Sequence, residues 1–162
     1  MWTPTTSRRG PATTGTATVV EIANALAARE DELETRVHLV AFGAEEVGLC
    51  GSGHDSENRD PETVKAVLNN DGVVRGRTLK CYTQGFDGLE TAAQAVADRF
   101  DHPMKTTPRL SPHSDHWPYV ERGVPGHHTS TRTTRKRTTT PSTSQTFVTA
   151  GMTTSSGSSS RR

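Results

Sequence analysis

Residues 37–54 read VHLVAFGAEEVGLCGSGH. The first six are almost unbroken apolar sequence, and the run stops at Gly43 and Ala44. A short apolar run closed by a turn signal is the pattern of a buried strand, so a strand is expected over 37–44. Two adjacent carboxylates follow, Glu45 and Glu46, and then a glycine-rich exit at Gly48, Gly51 and Gly53. Open α/β sheets place their ligand sites at the carboxyl ends of strands. Two acids there carry more meaning than two acids on a solvated helix face.

The flanking sequence supplies an α/β rhythm. Upstream, Val19, Ile22, Ala23, Leu26 and Ala27 fall at helical spacing, which predicts an amphipathic helix from residue 18 to about 30. Downstream, VGLCGS reads as a helix start or tight turn, and HDSENRDPE as a polar loop. Residues 64–68 form a second apolar run whose tip carries Asn69, Asn70 and Asp71. TLKCYT, residues 78–83, is a third strand, followed by a turn. Residues 88–100 read as a helix with Leu89, Ala92, Ala93, Val96 and Phe100 on one side. Residues 102–116 look irregular and Pro-rich, 117–122 suit one helical turn, and VPGHHTS starts a last strand.

Composition divides the chain. Only 30% of the 162 residues are hydrophobic and 5% aromatic, which is low for a globular protein. All 18 acids lie within residues 19–128, against 11 Lys and Arg, while both ends are basic and acid-free. Residues 1–13 and 130–162 are rich in Thr, Ser, Pro and Arg. Such segments bury too little apolar surface to offset ordering entropy, so disorder is expected there and one folded domain over 14–129. Cys50 and Cys81 have no metal-pair spacing and read as small buried residues. No stretch reaches transmembrane length, and the start lacks the apolar core of a signal peptide, so a cytoplasmic chain is expected.

Three elements carry chemistry. Of two adjacent acids at a strand tip, one is able to ligate a metal while the other holds a water on it and serves as general base. Asp71 at the neighbouring tip brings a third carboxylate. Three acids without cations repel, which favours a site built for divalent metal. The third element is SPHSDHWPYVERGVPGHH, with four His and an Asp, donors that suit zinc. The alternative reading of each is plain: first-turn acids, a turn Asp and surface histidines.

AFGAEEVGLCGS, LNNDGVV and SDHWPYVERGVP, in that order, resemble the co-catalytic zinc aminopeptidases, family twenty-eight of the metallopeptidases. The resemblance implies a mixed, mainly parallel sheet flanked by helices. It also implies removal of N-terminal residues from peptides by water activated at two zincs. Carried over, Glu45 is the general base, Glu46 a ligand of one zinc and Asp71 a ligand of the other. Asp115 and His116 border the substrate pocket. The implied partner is a peptide, with no membrane and no specific nucleic acid.

The sequence also departs from that pattern. Pro11 stands about where the family's bridging Asp belongs, no His precedes it, and no His follows His128. Three of the family's five ligands are therefore missing, and the chain is expected to bind zinc poorly unless His127 or His128 substitutes. Asp codons of a GC-rich gene read one base out of frame yield Thr and Arg, so frameshifts at both ends would explain the odd composition. Two other readings are a non-catalytic remnant, whose basic run at 132–137 meets acidic partners, and a glutaminyl cyclase-like acyl transferase.

Overall fold

The computed structural model describes residues 12–72, 78–131 and 147–153. Helix α1 (Ala12–Ala27) leads into strand β1 (Arg36–Phe42), helix α2 (Cys50–Glu57) and strand β2 (Val64–Asn70). Strand β3 (Leu79–Tyr82), helix α3 (Asp87–Arg99), strand β4 (Met104–Thr107), helix α4 (Trp117–Val120), strand β5 (Gly126–Ser130) and strand β6 (Phe147–Thr153) complete it. The strands form one sheet in the order β1-β6-β2-β5-β3-β4. Within the four strands β2-β5-β3-β4, two of three pairings are parallel. β6 adds antiparallel pairings to β1 and β2. The α/β class, with a mixed sheet flanked by helices that is mainly parallel within β2-β5-β3-β4, agrees with the sequence reading.

Because β6 runs antiparallel to both β1 and β2, those two strands point the same way, and β5 is parallel to β2. The carboxyl ends of β1, β2 and β5 therefore share one edge of the sheet. Among the described residues, the core beneath them gathers Phe42, Val64, Val67, Tyr119 and Val124, with Val40 against it.

Helix α1 turns Val19 inward, with Ile22, Ala23 and Leu26 half-buried on the same stripe. Helix α2 extends through residues expected to be loop. Ser52 and Ser56 return their hydroxyls to the carbonyls of Leu49 (3.2 Å) and Gly53 (2.9 Å). Arg59 pairs with Asp55 four residues earlier. Asp55 also accepts a short hydrogen bond from the Tyr119 hydroxyl, which ties α2 to α4. Burial pushes the Asp55 carboxyl up, but the bonds from Arg59 and Tyr119 outweigh it and hold the group below its ordinary value.

Several sequence expectations need correction. β1 lies at the sheet edge, and only Phe42 of it is buried. Helix α3 presents a different side from the one expected: Val96 and Phe100 are exposed, and Ala97 is buried. The polar anchor Glu90 sets this rotation, accepting from the hydroxyls of Thr83 (3.4 Å) and Thr106 (3.0 Å). Strand β4 interrupts the supposedly irregular 102–116. Its evidence is non-local, a parallel ladder to β3 extended by Leu79 N–H to the Pro103 carbonyl at 2.9 Å. Cys81 is buried as expected, whereas Cys50 is exposed.

Strand β6 departs from the expectation of disorder throughout 130–162, because its backbone completes ladders with both β1 and β2. The remainder of that tail, including the basic run at 132–137, lies outside the described residues, as do residues 1–11 of the amino-terminal segment. Among the described residues, no helix is long and apolar enough to cross a membrane.

The turn after β1 depends on a close approach. A Cβ on Gly51 would lie 2.5 Å from the Gly43 carbonyl oxygen, on rigid backbone. Gly51 N–H also donates to that oxygen at 3.2 Å. Gly51→Ala is expected to destabilise the fold by about 1–3 kcal/mol. A melting temperature that falls by several degrees checks this, and an unchanged one contradicts it.

Candidate active site at the carboxyl edge of the sheet

The chain leaves β1 through Ala44, whose φ of 60° is a left-handed conformation seldom adopted by a residue with a side chain. The turn is closed by Leu49 N–H to the Glu45 carbonyl (2.9 Å) and Cys50 N–H to the Ala44 carbonyl (3.3 Å). This bend buries Glu45 and leaves Glu46 exposed. Burial raises the Glu45 carboxyl to about 8, and the negative charges of Glu46, Asp71 and Asp115 add to the rise.

Asp71 follows β2 directly, and its N–H donates to the Thr129 carbonyl at 3.0 Å. Its side chain is partly exposed, and Oδ2 lies 3.7 Å from His128 Nε2. Asp115 and His116 sit in the turn before α4, both fully buried. Burial lifts Asp115 to about 6, with Ser52 beside it pulling the other way and Asp71 adding repulsion. Burial holds His116 down to about 3, and the neighbouring His128 and His127 lower it further. His127 and His128 are each lowered to about 4, chiefly by burial.

Asn69, Ser114 and His128 complete the polar cluster. Asn69 Nδ2 donates to Ser114 Oγ at 2.6 Å and lies 3.5 Å from His116 Nδ1. The His116 and His128 rings are 5.4 Å apart, and Tyr82 stacks on His128 at 5.6 Å. Among the described residues, five buried side-chain atoms make no hydrogen bond: Asn69 Oδ1, both Asp115 oxygens, His116 Nε2 and His128 Nε2. A buried group without a partner costs about 1–3 kcal/mol, and all five belong to this cluster. Asn69 and Ser114 were visible in sequence only as a polar strand tip and the first residue of Ser-Asp-His. Nothing local marked them as partners across 45 residues.

The sequence model of peptidase family M28 matches residues 12–149. The chain belongs to that family. The match runs past both limits of the expected domain, 14–129. No curated protein and no solved structure matches this chain. Membership of M28 places it among the metallopeptidases, a class of hydrolases acting on peptides.

The family's two-metal centre can be tested against the residues present. Among the described residues, no group of three or more His, Cys, Asp or Glu side chains is placed to hold a metal ion. Glu45, Glu46 and Asp71 share an edge without forming such a group. The described residues therefore do not fit a two-zinc centre.

The shifted groups set a pH profile for the metal-free fold. The three depressed histidines bind fewer protons folded than unfolded, so they add stability as pH rises from about 4 to 6.5. Glu45 is raised, so the folded state keeps its proton while the unfolded state has lost it. Stability therefore falls as pH rises from about 4.5 to 8. Melting of EDTA-treated protein is expected to peak near pH 6.5. Glu45→Gln should remove the decline between 6.5 and 8, and an unchanged decline would contradict this assignment.

Proposed function

We propose that this chain descends from a zinc-dependent aminopeptidase and that its own peptidase activity is impaired. Glu45 holds the position of the general base, and Glu46 and Asp71 hold those of ligands to separate zincs. Asp115 and His116 border the peptide pocket. The shared sheet edge supports this assignment, as do the charges of Glu46, Asp71 and Asp115 acting on Glu45 and that of Asp71 acting on Asp115.

The observation that carries the impairment is the donor set. The described residues bring no three metal donors together, whereas a catalytic zinc in a hydrolase takes three protein ligands and one water.

The test is hydrolysis of aminoacyl-anilides by the purified full chain with zinc added. Little or no release of aniline is expected at pH 7. Robust hydrolysis, abolished both by chelator and by Glu45→Gln, would show an intact aminopeptidase and overturn the impairment.

A further inference from the structure

We propose that Gln84 is a positioning residue for the buried imidazole of His128 and, through it, for the wall of the peptide pocket. This role depends on the assignment of Asp115 and His116 to the border of that pocket. The turn that carries Gln84 departs from its own sequence preference. Residues 83–86 link β3 to α3, closed by Phe86 N–H to the Thr83 carbonyl at 2.9 Å. The two central residues, Gln84 and Gly85, have φ of 56° and 85°. A turn with positive φ at both centres favours Asn, Asp or Gly in the first of them. Gln84 is none of these, yet it is held left-handed and is only 6% exposed. A residue kept in a sparsely populated backbone conformation points to a role at a site.

What the longer side chain gains is reach. Its Oε1 accepts the Ser111 N–H at 2.7 Å, and its Nε2 donates to the Tyr82 carbonyl at 3.0 Å. Both partners are backbone groups with fixed roles, one donor and one acceptor, so the amide sits one way round. The same two residues flank His128. The Tyr82 ring stacks on the imidazole at 5.6 Å, and Ser111 Oγ lies 3.4 Å from its Nδ1. One amide thus braces both neighbours of the ring.

The contact between Ser111 and His128 has no slack. Its 3.4 Å is just beyond the ~2.7–3.2 Å of most hydrogen bonds to nitrogen, so a small retreat of Ser111 breaks it. The bond made by one ring nitrogen sets the tautomer of the whole imidazole. Gln84 therefore fixes the ring in orientation and in tautomer, acting through Ser111 and Tyr82. His116 comes next, its ring 5.4 Å from that of His128. Burial lowers the His116 ring, and the Ser111 backbone acts on it in the opposite direction.

The experiment is NMR of the full chain at neutral pH with nitrogen-labelled histidine rings, comparing Gln84→Asn, Gln84→Met and Gln94→Met with the unaltered protein. Asn suits the turn but is one methylene short, whereas Met keeps the length and loses both hydrogen bonds. A single His128 tautomer is expected in the unaltered protein and a mixture in both Gln84 variants. Gln94→Met removes only an exposed bond to Asp98 and should leave the ring signals as they were. A mixture already present in the unaltered protein, a single tautomer retained in either Gln84 variant, or the same loss in Gln94→Met would overturn the proposal. So would equal changes at His38, His54 and His102, which would mark general loosening of the fold. Where the variants fail to fold, amide exchange of the unaltered protein decides: the Ser111 N–H should be protected, and free exchange would refute the tie. Ring spectra do not depend on hydrolysis, so a chain that cleaves no peptide still decides the point.

Discussion

The parallel pairing of β2 with β5 sets Asn69 opposite His128 and Asn70 opposite Thr129. It continues past the strand end, where Asp71 N–H reaches the Thr129 carbonyl. This ladder brings the tip of one strand, with its amide and acid, against the imidazole of the other. Asn69 then reaches across to Ser114 and toward His116, so the turn before α4 is fixed by the same contact. The turn after β1 adds Glu45 from the side.

The result is a polar cluster set over the apolar core of Phe42, Val64, Val67, Tyr119 and Val124. Such an arrangement is costly, because buried polar groups need partners and several here have none. Desolvation answers part of the cost by favouring the neutral forms: Glu45 is pushed up to about 8 and the histidines down, while Asp115 rises only to about 6. A divalent cation would answer it differently, by supplying charge to carboxylates and a partner to nitrogen lone pairs. Family membership and the local donor set pull apart here. The family is one of metallopeptidases, yet the described residues bring no three metal donors together.

Much of this was legible in the sequence, and the exceptions share a cause. Residues 37–46 announced a strand and an acid pair, and the α/β rhythm gave the fold class, because periodicity and turn residues act locally. Asp71 was legible because it ends an apolar run. β4 and β6 were not, since their strand character lies in ladders to distant partners. The exposed side of α3 was misjudged because apolar spacing suggested Val96 and Phe100, while Glu90 and its two threonine hydroxyls fixed the rotation. That Asp71 meets Thr129 and lies near His128 is a question of strand register, which no spacing rule reports.

The most direct measurement is anomalous scattering at the zinc edge from crystals of the full chain soaked in zinc. The account predicts no pair of zinc peaks at this edge of the sheet. Two peaks ~3.5–4 Å apart, flanked by Glu46 and Asp71, would show an assembled co-catalytic centre and contradict it.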